Sequence, residues 1–142
     1  MGVEKGSYKG HNFEDGSAAI IAACREVATE LGSGFAEVTY QRALAFELTI
    51  RGIAFVREAE LAIYYKGEAI DIRRADFLVG DIIVELKALK ELLPEHVAQL
   101  AMYLKAAHYR LGLLINFGER YVRTKRVINS SIDESQSSEK ST

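Results

Sequence analysis

Residues 74–87, RADFLVGDIIVELK, restrict the fold of this chain more than any other segment. Their Phe, Leu, Val and Ile residues are as dense as in a strand that is buried on both faces of a sheet. Gly80-Asp81 is a two-residue hairpin signal, so the segment predicts two antiparallel strands. Three charged residues nevertheless interrupt it, Asp76, Glu85 and Lys87. A buried carboxylate is costly unless it is paired or binds a metal, so we expect a charged site within the sheet.

The register of this hairpin brings the three charged side chains together. Counting from the loop, Asp76 is expected to pair directly with Glu85, with their Cβ atoms about 4.5–5.5 Å apart on one face. Lys87 lies two residues beyond Glu85 and therefore shares that face. Two carboxylates so close repel each other unless a proton or a cation lies between them. Oxygen ligands suit a hard divalent cation, Mg²⁺ or Mn²⁺.

Such a site has a chemical and a structural interpretation. A bound divalent cation polarises a phosphoryl oxygen and lowers the pKa of water. The Lys87 ammonium would position the attacking water or stabilise charge on the phosphate, which suits hydrolysis of a phosphodiester bond. A buried ion pair from Lys87 to Glu85 or Asp76 explains the spacing equally well.

Composition indicates one domain of ordinary size and excludes several classes of protein. The chain has 142 residues, 49% of them hydrophobic, and a net charge of −2, which gives no support to a basic coat for nucleic acid. No apolar run reaches the roughly 20 residues that span a membrane. We find no secretory signal and expect a cytoplasmic protein.

Periodicity divides the chain into helices, strands and two termini. A helix is predicted from Ser17, as its N-cap, to the stop at Gly32, and further helices at 36–51 and 94–107. Strands are predicted at 53–56, 60–65, 69–79, 82–88, 111–116 and 121–128. This order indicates a mixed α/β domain at 17–129, with helices on both sides of one sheet. Residues 1–16 are interpreted as a mobile arm and the Ser-rich residues 130–142 as a disordered tail.

Helical faces supply further candidate site residues. Gln99 and Tyr103 lie four residues apart, on one face together with His96, and could hold a phosphate or a base. Ordinary packing of a Tyr at a helix edge is the alternative. Glu37 lies on the apolar stripe of the second helix and adds a third acid. Its alternative is a surface residue that the helix dipole favours near the N-terminus.

Basic residues concentrate in the last quarter of the predicted domain. Between Leu104 and Ile128, Glu119 is the only acid among Lys105, Arg110, Arg120, Arg123, Lys125 and Arg126. Arg123 and Lys125 share one face of the last strand, and we predict that they contact a phosphate backbone. The alternative is a solvated edge strand that is protected from aggregation by its charges.

Together, these motifs resemble the GxxExxY proteins, a group within the PD-(D/E)XK nuclease superfamily. Gly34-Phe-Ala-Glu37-Val-Thr-Tyr40 fits the naming motif, and the resemblance extends over residues 20–129. Further matching segments are Tyr65-Lys66-Gly67, Arg74-Ala75-Asp76, Val84-Glu85-Leu86-Lys87, Pro94-Glu95-His96, Gln99, Tyr103 and Leu113-Leu114-Ile115-Asn116-Phe117-Gly118. The chain departs from related sequences at Ala28, where a His is common, and at Arg73, where a Tyr is common.

The resemblance implies a restriction-endonuclease-like fold, a central mixed sheet in an αβββαβ core. It implies Asp76 and Glu85 as ligands of Mg²⁺ or Mn²⁺, with the backbone carbonyl of Leu86 as a third ligand. Lys87 would be the catalytic lysine and Glu37 an acid near the metal, while Gln99 and Tyr103 match a Gln-Tyr helix motif.

The implied function is a metal-dependent nuclease acting on DNA or RNA. Because a fold does not determine function, a noncatalytic nucleic-acid- or protein-binding module is the alternative. A homo-oligomer or a protein partner also remains open.

Overall fold

The computed structural model describes residues 7–8, 11–12 and 15–132. Their elements are β1 (Ser7–Tyr8), β2 (His11–Asn12), α1 (Ser17–Leu31), α2 (Glu37–Ile50), β3 (Val56–Tyr65), β4 (Glu68–Val79), β5 (Ile82–Lys87), α3 (Pro94–Ala107), β6 (Leu111–Asn116) and β7 (Arg123–Ile128). Most of the predicted arm at 1–16 and tail at 130–142 lies outside the described residues, so these two boundaries stay predictions.

The main sheet is mixed and has five strands in the order β3-β4-β5-β6-β7. Only β5 and β6 run parallel, and the other neighbours are antiparallel. Parallel strands need a crossover connection, which α3 provides between β5 and β6. The predicted mixed α/β fold is therefore confirmed.

Helices cover both faces of the sheet and bury two apolar clusters. α1 and α2 pack on one face, where the stripe of Tyr40, Leu44 and Leu48 is fully buried. α3 packs on the other face through Leu100 and Leu104. β5 lies between the two clusters and is buried from Ile82 to Leu86, as its apolar density predicts.

Several element bounds differ from the sequence prediction; β7, for example, begins at Arg123 rather than at residue 121. The strands predicted at 53–56 and 60–65 form one continuous strand, β3, because pairing with β4 carries the chain through the intervening charged residues. Ser17 is the first residue of α1 rather than its N-cap. Its hydroxyl instead donates a hydrogen bond to Asp15 Oδ1 at 2.7 Å.

The β4–β5 hairpin keeps the predicted register for three pairs and then departs from it. Phe77 pairs with Val84, but Asp76 does not pair with Glu85. On the other side of β4, the paired residues also leave out Asp76. The Leu86 amide, which the missing backbone pairing leaves available, donates to Asp76 Oδ2 at 2.7 Å. The carboxylate thus replaces a backbone acceptor where the two strands separate.

Candidate active site

Helix α2 contributes a polar side chain to the Asp76 carboxylate. Gln41 Nε2 donates to Asp76 Oδ1 at 2.9 Å and approaches Glu37 Oε2 at 3.4 Å. Gln41 and Glu37 lie one helical turn apart and therefore share a face of α2. Since Asp76 Oδ2 accepts from Leu86, both oxygens of this carboxylate have a protein donor.

Glu85 is buried and forms an ion pair with an arginine of the neighbouring strand. Its side chain is 10% exposed, and Arg73 Nη1 lies 2.8 Å from Glu85 Oε2. The same Nη1 donates to the backbone oxygen of Arg74 at 2.8 Å. The Arg73 guanidinium carbon also lies 3.8 Å from the centre of the Tyr103 ring, as in a cation–π contact. Arg73 is thus held between β5 and α3.

A small cleft opens between the sheet and α3 at this ion pair. Its polar lining brings together the predicted Glu85 and Lys87 from β5, and the predicted Gln99 and Tyr103 from α3. His96 also lines it, and its Nδ1 accepts a hydrogen bond from the Leu93 amide at 2.9 Å at the start of α3. This side chain therefore also caps the helix.

Three carboxyl groups of the predicted site, Glu85, Asp76 and Glu37, have raised pKa values. Burial raises the pKa of Glu85 most, and the charge of Asp76 raises it further, against the opposing effect of Arg73. Burial raises the pKa of Asp76, while the hydrogen bond from Leu86 and the charge of Lys87 oppose the change. Burial and the charge of Asp76 raise the pKa of Glu37. The folded protein thus disfavours the ionised forms of all three.

Lys87 does not form the buried ion pair that was one interpretation of its spacing. Within residues 15–132 the carboxylate of Glu85 pairs with Arg73 instead, and Lys87 has no ion-pair partner. Its backbone oxygen accepts a hydrogen bond from the Phe117 amide at 2.8 Å, which fixes the end of β5 against β6. The ammonium is half-buried at the cleft and remains available to a ligand.

The acidic residues fit a divalent cation by their chemistry. Among the residues that the structure describes, no three His, Cys, Asp or Glu side chains form a metal-binding group. Magnesium, however, usually takes only one or two protein carboxylates and completes its shell with water and substrate phosphate. Asp76 and Glu85, two carboxylates that repel each other, meet that requirement.

β7 places the two predicted phosphate contacts on the cleft side of the sheet. Arg123 is opposite Asn116, which is opposite Lys87, and Lys125 is related in the same way to Glu85 through Leu114. Side chains opposite one another share a face. Both residues are exposed, and Arg123 Nε lies 3.0 Å from Glu119 Oε1.

Sequence reasoning missed three polar residues at or near the site: Arg73, Gln41 and Asn116. Gln41 could have been found, because it follows Glu37 by one helical turn. The buried Asn116 binds both the amide and the carbonyl of Leu89, at 2.8 and 3.0 Å, and so holds the loop after β5. Arg73 carried no local signal, since its partner lies on another strand.

In this structure, the residues that fit the naming motif of the GxxExxY proteins have mainly a structural role. The Tyr40 hydroxyl donates to the Gly32 oxygen at 2.6 Å and accepts from the Phe35 amide at 3.3 Å. Its ring stacks on Phe117, with 4.5 Å between the ring centres. Gly34 has a φ of 115°, which a residue with a Cβ rarely adopts.

Comparison with known proteins gives a family match and several distant structural similarities, two of which are to SSO0001 and to a phage-related exonuclease. A family model described as the PD-(D/E)XK nuclease superfamily matches residues 14–127. No curated protein sequence gives a significant match. In the described residues, no helix combines the length and the apolar character that crossing a membrane requires.

The two solved structures are similar to this chain at low sequence identity. The crystal structure of SSO0001 is 17% identical with a TM-score of 0.45, over 86% of this chain and 71% of that one. A phage-related exonuclease from Haemophilus somnus 129PT is 10% identical with a TM-score of 0.41, over 87% of this chain and 77% of that one. Neither similarity is high enough to support a conclusion about fold or function.

The family match includes all three helices and nearly all of the five-stranded sheet. The mixed sheet and its flanking helices agree with that match. The chain belongs to the PD-(D/E)XK nuclease superfamily.

Proposed function

We propose that this protein hydrolyses phosphodiester bonds of nucleic acid with the help of Mg²⁺ or Mn²⁺. The observation that carries the proposal is the group of carboxyl groups with raised pKa values beside Lys87, which has no ion-pair partner in residues 15–132. Such groups concentrate at functional sites, because catalytic groups need pKa values that suit their chemical role. Membership in a nuclease superfamily supports the same assignment.

In this proposal Glu85, which lines the cleft, holds the cation together with Asp76. Asp76, Glu85 and the backbone carbonyl of Leu86 are the ligands, and Glu37 adds negative charge from α2. When bound, the cation would polarise the phosphoryl oxygen and acidify a water. The charge of Asp76 contributes to the raised pKa of Glu85, and a cation bound between the two carboxylates would relieve this repulsion.

The remaining cleft residues act on the substrate. The Lys87 ammonium positions the attacking water and stabilises the charge that develops on the phosphate. Gln99 and Tyr103 hold the phosphate or a base beside it. Arg123 and Lys125 contact the phosphate backbone further along the nucleic acid. We also assign the chain to the GxxExxY group, on the basis of Gly34, Glu37 and Tyr40.

The test is a cleavage assay on single- and double-stranded DNA and RNA, with and without Mg²⁺ or Mn²⁺. We expect cleavage that requires the cation and is lost in Glu85→Ala. Glu60→Ala is the matched control, because Glu60 is an exposed acid of β3 that pairs with Arg74. Cleavage that persists in Glu85→Ala, or that needs no cation, would contradict the proposal.

A noncatalytic binding module is the second candidate, and one observation favours it. Both oxygens of Asp76 and one oxygen of Glu85 already have protein donors. In such a module the acids and Arg73 would form a self-neutralised structural group. Binding of nucleic acid or protein with no cleavage of any substrate would support this function.

A further inference from the structure

The position of Arg73 is unusual for a residue with a purely structural role. Its side chain is 23% exposed and lines the cleft beside Lys87. It neutralises Glu85, one of the two carboxylates to which we assign the cation, at 2.8 Å. A guanidinium and a divalent cation cannot both pair closely with one carboxylate without repelling each other. Cation binding to Glu85 must therefore weaken the contact between Glu85 and Arg73.

A second contact keeps the guanidinium in the cleft after that contact is weakened. Arg73 lies over the face of Tyr103, with 3.8 Å from its guanidinium carbon to the ring centre. Stacking on an aromatic ring leaves the N–H edge of a guanidinium directed to its surroundings, and this edge matches phosphate geometry. Lys87, Gln99 and His96 line the same cleft. A phosphate group in the cleft would thus meet Arg73 together with these donors.

We propose that Arg73 is a phosphate-binding residue that Glu85 holds in the absence of ligand, so that a divalent cation releases it to a phosphate of the bound nucleic acid. The inference rests on the proposed function for its substrate class. It adds a residue to the substrate-binding set and couples the two ligands. By linkage, the cation strengthens nucleic-acid binding by the same factor as nucleic acid strengthens cation binding.

The first experiment is calorimetric titration of Mn²⁺ into the free protein. We expect Arg73→Gln to bind Mn²⁺ about tenfold more tightly than the wild type, because the competing charge is gone. Arg74→Gln is the matched control. It removes the next arginine of β4, which pairs with Glu58 and Glu60 away from the cleft, and is expected to bind as the wild type does.

The second experiment measures binding of a fluorescent oligonucleotide by the Lys87→Ala variant, with and without Mn²⁺. We expect Mn²⁺ to increase affinity about tenfold, and Arg73→Gln in the same background to lose that increase. Arg73→Lys serves if Arg73→Gln does not fold. It keeps the charge but loses the planar fork, and at least a threefold reduction of the increase is expected.

Unchanged or weaker Mn²⁺ binding in Arg73→Gln would overturn the inference. So would a cation-dependent increase in oligonucleotide affinity that survives the loss of Arg73. These outcomes are distinct from failure of the proposed function, which would be seen as absent cleavage in the wild type. Coupled binding without cleavage would keep the inference and assign it to a binding module.

Discussion

Among single residues, Lys87 and Glu85 show how differently two charges of one strand can be used. Glu85 is buried against Arg73, whereas Lys87 is half-buried and has no ion-pair partner within residues 15–132. A buried ion pair adds little net stability, but the removal of one partner is strongly destabilising. We expect an ammonium that lies at a cleft without an ion-pair partner to take part in ligand binding instead. The two side chains therefore predict opposite results on substitution.

We expect Lys87→Ala to leave the fold intact and to abolish cleavage. Loss of this side chain breaks no ion pair, so the free energy of unfolding should fall by about 1 kcal/mol or less. The cleavage rate should fall by about 10²–10⁴, as for loss of a positioned charged group. Urea denaturation and single-turnover cleavage measure the two effects. A loss of about 3–5 kcal/mol with normal cleavage by the folded fraction would indicate a buried ion pair instead.

Glu85 should reveal its raised pKa through the pH dependence of stability. An acid whose pKa is higher in the folded state binds more protons there, so its contribution favours folding below the ordinary value of 4.5. That contribution disappears as the pH rises through the raised value. Replacing Glu85 by Gln removes the titration, so the stability of Glu85→Gln relative to the wild type should increase as the pH rises from about 4.5 through the raised value, and then level off.

Denaturation at a series of pH values tests this expectation without added divalent cations. Glu60→Gln is the control, because Glu60 is exposed and any change in its relative stability should be small. A relative stability of Glu85→Gln that decreases with pH would show that the Arg73 ion pair outweighs burial.

At the scale of elements, β7 brings positive charge to the side of the sheet that carries the cleft. Arg123 and Lys125 lie in line with Lys87 and Glu85 across β6. Arg123 is already paired with Glu119, and pairs of this exposed kind contribute little. We therefore expect β7 to contact phosphates of the nucleic acid that α3 does not reach.

The double variant Arg123→Ala plus Lys125→Ala should bind nucleic acid more weakly and with less dependence on salt. Each lost phosphate contact flattens the log–log salt slope by about 0.7–0.9, because fewer counterions are released. The measurement is an oligonucleotide titration over several salt concentrations in the Glu85→Ala background. Arg42→Ala plus Lys66→Ala removes the same charge at exposed positions outside the cleft and controls for net charge. An unchanged affinity and slope would exclude β7 from the binding surface.

For the whole molecule, the site connects two otherwise separate apolar clusters. Asp76 receives a hydrogen bond from Gln41 of α2, while the ion pair of Glu85 is covered by Tyr103 of α3. A cation bound by both carboxylates would thus join the two helical layers through the sheet. Its effect should extend to global unfolding.

Mn²⁺ should therefore raise the stability of the entire domain. A ligand that binds only the folded state, at a free concentration one hundred times its Kd, adds about 2.7 kcal/mol. Differential scanning calorimetry with and without Mn²⁺ measures the shift in Tm. Asp76→Asn keeps the shape but loses the charge, so it should show little or no shift. An equal shift in this variant would remove Asp76 from the cation site.

Local signals in the sequence predicted much of this architecture. The bounds of α3 and β6 agree with prediction because Pro94 and the Phe117-Gly118 turn mark them clearly. The hairpin register was correct through Phe77 and Val84 and wrong at Asp76, because the strands separate there. That separation depends on a side chain replacing a backbone acceptor, which no alternation pattern reports.

The pairing of Arg73 with Glu85 could not be predicted for a related reason. The two residues are brought together by strand geometry beyond the regular ladder, and the contact with Tyr103 adds a third element. Pairwise spacing finds partners within a helix or a regular hairpin. It does not find contacts that depend on the arrangement of three elements.

Tyr40 has a consequence for how relatives of this chain are recognised. Its hydroxyl and ring join the start of α2 to Gly32 and to Phe117, whose amide in turn contacts the end of β5. Two of the three motif positions, the glycine and the tyrosine, thus have structural roles at the start of this helix. A search built on the motif therefore selects, at these two positions, for the packing of the helix. Proteins found in this way share the scaffold, and the chemistry that we propose for Asp76, Glu85 and Lys87 has to be tested in them separately.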